Sequence, residues 1–415
     1  MRSPWQLLVR NRDFRRLFLA ELVVFGADWF VMVPLLVLLP KLTGHGQLGS
    51  LVLAADTGIV ALLLPFTGTI ADRVDRRKIM MVANIAAIGG VLALLTVRTP
   101  ATAWLAVPCI AAVAIAKAFY SPAAGAALPN VVDPEDLPVA NAIAGSAWGT
   151  MTIVGASLGG VLSATTGPYR SFMVAGVSLV IAAVLTSVIR RPLQEPRDPL
   201  AAPPHALAAL RESMRYILAH PRVRALVTVK SAVGLGNGVL TSFPLLAAAF
   251  GAEALGTGAL FAVRGLGALV GPLVMRRVLA HRTWLLPGLA LSMSAYGLSY
   301  LGVSISPWFG LTLALVFVAH LAGGSNWVMS NFALQREVPD ALRGRVFAAD
   351  MMLATMAVAT SQLLFGASLG LLDVHWLIAV CGAVTLTYAL VWWLTAGRSN
   401  QRRANELIDS TAGAH

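Results

Sequence analysis

Apolar runs of about twenty residues recur along almost the whole chain, separated by short loops that carry most of its charge. A helix of about 20 residues spans the roughly 30 Å hydrocarbon core of a bilayer. Such runs fall near residues 16–39, 48–70, 78–97, 102–127, 139–164 and 169–189, and again near 223–249, 254–275, 284–303, 307–331, 346–371 and 375–396. Between the two sets lies a polar stretch holding Pro192, Pro196, Pro199, Pro203 and Pro204, within which 206–219 reads as an amphipathic helix at the membrane surface. The expected architecture is an all-α integral membrane protein of twelve transmembrane helices in two pseudo-symmetric bundles. The expected divisions are 1–190 for the first bundle, 191–222 for a cytoplasmic linker, 223–397 for the second bundle and 398–415 for a polar tail.

Composition removes the soluble alternatives. Charged residues make up 12% of the chain, about half the usual share, which is too few to coat a water-facing surface. The net charge of +12 would suggest nucleic acid in a soluble protein, but here topology explains it. With the N-terminus inside, inner segments hold 25 Lys and Arg, outer loops hold Lys41, Arg98 and Arg170, and spans hold Lys117, Lys230 and Arg264. Positive residues collect on the cytoplasmic side, so both termini are expected there, in the cell membrane. The first apolar run is too long for a cleavable signal and carries two acids, so it should stay as a span. Cys109 and Cys381 lie inside apolar runs and read as small hydrophobes.

The halves also echo each other in sequence. Residues 11–28 laid over 220–237 match Arg15 to Arg224 and Leu17 to Leu226. Thr57-Gly58 before Arg76-Arg77 recurs as Thr257-Gly258 before Arg276-Arg277, and Gly155-Ala156-Ser157-Leu158-Gly159 recurs as Gly366-Ala367-Ser368-Leu369-Gly370. Two such repeats imply a site between bundles that can rock to expose it alternately.

Between the second and third runs stands Gly68-Thr69-Ile70-Ala71-Asp72-Arg73-Val74-Asp75-Arg76-Arg77-Lys78. This resembles the G-x-x-x-D-R-x-G-R-R signature of the major facilitator superfamily, at the loop where that family carries it. Asp75 replaces the usual second glycine, a departure similar to the branch that includes the enterobactin and macrolide exporters and drug:proton antiporters. Residues 339–345, Pro-Asp-Ala-Leu-Arg-Gly-Arg, resemble a segment of the same branch. The resemblance implies a conformational latch built from Gly68, Asp72, Arg73, Arg76, Arg77 and Asp350. Gly68 would permit close helix approach, and the arginines would bind carboxylates across the bundle boundary. Gly149 and Gly155–Gly160 resemble the family's antiporter motif, with Ala156 where that motif has Pro.

Charges inside the spans need a reason, because each costs about 2.5–3.5 kcal/mol at mid-membrane on insertion scales. Asp28 lies near the middle of the first span, and the resemblance implies a proton-coupling acid there. The alternatives are a cationic-substrate site or a permanently hydrogen-bonded core carboxylate. Lys117 sits where the family places a basic residue, with roles in orienting an anionic substrate or tuning Asp28, or as a structural salt bridge. Arg264 could meet an anionic substrate or pair structurally. Glu21 falls on Lys230, and Asp28 on Asn237, under the repeat offset. A Glu21–Lys230 ion pair closing an inner gate is therefore expected, unless both simply snorkel to the interface. Asp56 reads as a wetted helix start and His320 as a bonded core histidine. Trp148, Asn237 and Trp327 are candidates for cavity lining.

There is no phosphate loop for ATP, no Cys/His metal cluster and no channel filter, and no cofactor is implied. The expected function is transport rather than catalysis: a secondary active, proton-coupled exporter of an amphipathic small molecule such as a drug, antibiotic or siderophore. Its expected partners are that substrate, protons and the lipid bilayer, without nucleic acid, and the protein is expected to be monomeric. The rivals are a lipid or lysolipid flippase and a transport-inactive membrane partner or sensor of the same fold.

Overall fold

The computed structural model describes residues 3–194, 206–280, 284–398 and 400, except for the side chains of Asp72, 276–280, Asp340 and Ala341. The Pro-rich part of the expected linker (195–205) and the expected tail beyond residue 400 lie outside the described residues. So does the side chain of Asp72.

Helix starts follow from local capping. Ser3 and Gln6 form a capping box on α1 (Pro4–Arg10), each side chain taking the other's backbone N–H. Asn11 caps α2 (Arg12–Thr43) by accepting from the Phe14 N–H at 2.9 Å, and its amide donates to the Val131 carbonyl at 2.8 Å. After α3 (Gln47–Arg73) comes the loop residue that departs from the family pattern. Asp75 is the N-cap of α4 (Arg76–Ala93), its carboxylate accepting from the Lys78 N–H at 3.1 Å. Such a cap contributes about 1 kcal/mol, which gives this aspartate a local reason to replace glycine.

There follow α5 (Ala106–Val131), α6 (Leu137–Thr166), α7 (Pro168–Ser187), α8 (Ala206–Ala219), α9 (Pro221–Gly236), α10 (Phe243–Ala249), α11 (Glu253–Ala280), α12 (Leu285–Ser304), α13 (Phe309–Glu337), α14 (Asp340–Ser368) and α15 (Val374–Trp392). Among the described residues, eleven helical segments are long and apolar enough to cross a membrane. The expected ninth span appears as α12, 20 residues long, but Ser292, Ser294, Tyr296, Ser299 and Tyr300 dilute its apolar character. Val82, Ile85, Val177, Leu291, Leu298 and Leu364 are each more than half exposed. Large apolar side chains turned outward from so many helices suit lipid and not water.

The chain divides by contacts into two units. Unit 1 is Met1–Ala206 with Phe243–Ala262; unit 2 is Leu207–Ser242 with Val263–His415. In unit 1, α2 packs on α6 and α7, while α5 packs on α3 and α4. Phe14, Leu17, Val24, Val31, Ile110, Tyr120 and Phe172 share its core. The segment Phe243–Ala262 joins this unit for a steric reason. Gly160 of α6 and Gly258 of α11 cross so closely that a Cβ on Gly258 would stand 2.6 Å from the Ala156 carbonyl oxygen. Trp29 meets Phe261 nearby, ring centroids 5.1 Å apart.

In unit 2, α12 packs on α13 and α15, and α9 packs on α13, α14 and α15. Leu226, Val229, Leu289, Met293, Met329 and Trp392 form the core. The end of α9 tightens into a 3₁₀ segment, Asn237–Ser242, before Pro244. An interrupted helix at membrane depth needs its freed backbone groups paired. Ser361 of α14 does this: its hydroxyl accepts from the Gly238 N–H at 2.9 Å and donates to the Leu235 carbonyl.

The repeats hold in part. Asn11 precedes α2 as His220 precedes α9, so that register survives. The five-residue identity does not mark equivalent positions: Gly155–Gly159 lies inside α6, whereas Gly366–Gly370 ends α14, with Leu369 as its C-cap and Gly370 at φ +93°. Likewise Arg76 starts a new helix after a loop, while residues 276 and 277 continue α11. In an Ala-, Gly- and Leu-rich chain, short identities arise without shared placement.

Candidate functional site

Three helices of unit 1 bring one ionisable residue each to a single point. The ammonium of Lys117 on α5 donates to Oδ2 of Asp28 on α2 at 3.0 Å and stands 2.7 Å from Oδ1 of Asp56 on α3. Each residue is at least nine positions inside its helix, about 13 Å or more along the axis from the helix start. Their side chains are 22%, 20% and 19% exposed for Asp28, Asp56 and Lys117. Charge at that depth is costly against lipid, so each of the three needs the opposite charge beside it.

Of the roles open to Lys117, direct contact with Asp28 is therefore present, and Asp56 is a full member where a wetted helix start was expected. The sequence did carry a signal for it, an acid eight residues inside an apolar run.

Two carboxylates share one ammonium, so the ionised triad carries one net negative charge. One proton neutralises it. A small cavity adjoins the triad, lined by Asp28, Lys117, Asn84 and Tyr120 with apolar neighbours including Val24 and Val113. It has room for about one water molecule.

Unit 2 holds a differently balanced pair. Lys230 on α9 donates to Asp350 on α14 and to Asn331 on α13 at 2.6 Å. Both members of the ion pair are wholly inaccessible. The Lys230 ammonium also lies over the Trp327 ring, 5.2 Å from its centroid. Lys230 is thus bonded to Asp350 where the repeat offset had pointed to Glu21. The fixed offset encodes position along α9, not which helix faces it across the unit. Asp350 was expected in the latch and is engaged here with Lys230.

Arg264 on α11 lies within electrostatic reach of Tyr296 and Tyr300, two buried phenols the sequence reading passed over. Tyr300 shares a 2.8 Å hydrogen bond with His320, as a bonded core histidine should. Arg264 belongs to unit 2, whereas Asp28 and Lys117 belong to unit 1. Asn237 is 8% exposed and its amide donates to the Val233 carbonyl at 2.9 Å, so it closes α9. Trp148 on α6 is 49% exposed.

The signature loop is tied into unit 1 by its arginines. Arg76 donates to the carbonyls of Ala126 at 2.8 Å, Leu193 at 3.1 Å and Ala71 at 3.3 Å, and Arg77 to that of Arg191 at 3.2 Å. These bonds join the loop to α5 and to the segment after α7, and Arg76 makes further interactions besides them. Arg73 also has partners. Close approach was expected at Gly68, yet a Cβ there would meet nothing described within 4 Å. The close approaches fall elsewhere: a Cβ on Gly155 or Gly159 would strike Trp29.

The crossing of Gly160 and Gly258 gives a direct test. Gly258→Leu is expected to cost about 1–3 kcal/mol through overpacking, read as a lower melting temperature of the purified protein in detergent. Gly89→Ala, at a site with nothing within 4 Å, should leave it almost unchanged. An unchanged melting point for Gly258→Leu would show that the crossing is not rigid.

Comparisons with known proteins identify the family and the fold. The family model of the Major Facilitator Superfamily matches residues 17–286. The chain is 26% identical over 351 residues to "Enterobactin exporter EntS" of Shigella boydii serotype 4 (strain Sb227), covering 82% of this chain and 81% of that protein. The protein of the same name from Citrobacter koseri is 27% identical over 361 residues, covering 83% of each. Among solved structures, a POT family transporter in complex with 5-aminolevulinic acid superposes with TM-score 0.75 at 12% identity, covering 94% of this chain and 96% of that one. A bacterial homolog of the human lysosomal transporter Spinster gives 0.69 at 14% identity, covering 93% and 97%. At those identities the structures speak for the fold alone. The chain belongs to the Major Facilitator Superfamily and is a multi-pass inner-membrane transporter, not an enzyme.

Proposed function

We propose that this transporter is a proton-coupled exporter, with Asp28 in the Asp28–Lys117–Asp56 triad as its proton site. The observation that carries the reading is the triad's charge imbalance inside three helices. A structural ion pair needs one acid per base, as Lys230 and Asp350 show. A second buried carboxylate adds a charge that costs energy at every moment unless something neutralises it. A proton does so reversibly, and its loss or gain changes the electrostatic energy of any conformation that hides or wets the triad. Cargo and proton then need only favour different conformations for the flow of one to drive the other.

In this reading the chain has twelve spans, α12 included, with both termini cytoplasmic and the halves moving in alternating access. The signature loop, Gly68 among its residues, latches the two halves on the inner side in the outward-facing state. Arg264, within electrostatic reach of Tyr296 and Tyr300, is the residue that meets an anionic part of the cargo. The cargo is an amphipathic small molecule, and the relatives' name makes enterobactin the first candidate.

The test uses inside-out membrane vesicles from cells expressing the full chain, with enterobactin as the probe. Accumulation should follow an imposed pH gradient and stop when a protonophore collapses it. Accumulation indifferent to the collapse would remove proton coupling from the account.

A further inference from the structure

Below the triad, the same two helices carry a second polar level that the proposed cycle has not yet used. Glu21 stands seven residues before Asp28 on α2, which puts both on one face about 10 Å apart. Tyr120 stands three residues after Lys117 on α5, so it also shares that residue's face. Tyr120 is 3% exposed and lies within electrostatic reach of Glu21. The one-water cavity joins the levels, since Asp28 and Lys117 line it together with Tyr120 and Asn84.

Asn84 supplies the independent sign of a ligand there. It comes from α4, is 2% exposed, and its side-chain N–H group has no hydrogen-bond partner among the described residues. A buried amide left unpaired costs about 1–3 kcal/mol, and a water in the adjoining cavity removes that cost. Buried waters take two to four polar partners, which Asn84, Tyr120, Lys117 and Asp28 can provide.

We infer that this cavity binds a relay water, and that Glu21, Tyr120 and Asn84 form the route by which the proton leaves Asp28 toward the cytoplasmic side. The inference rests on the reading of Asp28 as the proton site. In the unloading direction, protonated Asp28 gives its proton to the water as the water passes one of its own to the Tyr120 oxygen. The Tyr120 hydroxyl proton in turn passes to the Glu21 carboxylate. One O–H bond breaks and one forms at each oxygen in between, so Tyr120 and the water end unchanged and one proton has moved from Asp28 to Glu21. Asn84 holds the water without exchanging a proton. The groups facing this route are Lys117 and Tyr120 from α5 and Asp56 from α3. The titratable residues of α4 and α7 sit in their first turns, and α6 has none.

Infrared difference spectroscopy of the purified full chain after a pH jump tests the relay without any cargo. The carboxyl signal absent in Asp28→Asn identifies Asp28. Asn84→Leu and Tyr120→Phe should keep that signal at equilibrium but slow its appearance roughly tenfold or more, in the range of lost proton-transfer assistance. Glu21→Gln should slow it similarly. Tyr120→Phe preserves ring volume, which guards against a variant that merely fails to fold. If the Asp28 signal exists and all three variants match wild type in rate, the relay is wrong and Asp28 unloads by another path. If Asp28→Asn removes no signal, the proton site itself is misplaced and the relay falls with it.

Discussion

Asp28→Asn is expected to reduce pH-gradient-driven accumulation by about two orders of magnitude or more, the scale on which proton-transferring groups matter. The argument is one of charge. Asparagine fills the same volume and can still accept from Lys117, but it leaves a triad of one ammonium and one carboxylate that is neutral at all working pH values. Such a triad has no odd charge to titrate, so conformational preference stops depending on pH. Exchange of labelled for unlabelled enterobactin across the membrane needs no net proton movement and should persist. That pattern separates lost coupling from lost folding or lost cargo binding. Asp56→Asn makes the comparison sharper. If it removes coupling while Asp28→Asn keeps it, the odd proton belongs on α3, 2.7 Å from Lys117, and the assignment within the triad is reversed.

Asp350→Ala should have the largest effect on stability. It strands the Lys230 ammonium where neither partner has any accessible surface. Leaving one member of a buried pair uncompensated costs about 3–5 kcal/mol, partly relieved by Asn331 at 2.6 Å. Replacing both charges together, Lys230→Met with Asp350→Leu, should recover most of that loss, since a packed apolar pair is commonly neutral or better. Melting temperature in detergent reads both effects. If the double variant is as unstable as the single one, the pair contributes through its wider network with Asn331 and Trp327 and not as an isolated neutral unit.

The triad and the Lys230–Asp350 pair also show what the sequence could and could not reveal. Asp28, Lys117, Lys230 and Asp350 stand out because charge is rare in apolar runs and each instance demands a cause. Most of the spans were equally legible, since bilayer thickness fixes a length. Partners were harder. Lys230 and Asp350 are 120 residues apart, and only the packing of α9 on α14 brings them together. The internal offset pointed Lys230 at Glu21 because symmetry relates positions, not contacts.

Asp56 was misjudged for a related reason. Eight residues into an apolar run can be a wet helix end or a buried site, and only Lys117 reaching over from α5 decides. Asn84 and Tyr120 gave no signal at all, being ordinary polar residues in apolar helices until a cavity gathers them. Asp75 is the reverse case. As a departure from the family's signature it pointed to one branch of the family, whereas its physical use, to cap and start α4, shows only in the fold.

The central claim is that cargo leaves in exchange for a proton taken at the Asp28 triad. Purified protein in liposomes, loaded with a pH-sensitive dye and given enterobactin on one side, measures this directly. The account predicts that protons cross opposite to the cargo, in a fixed ratio, with no imposed gradient at the start. Cargo crossing at the same rate while the dye stays silent would contradict it.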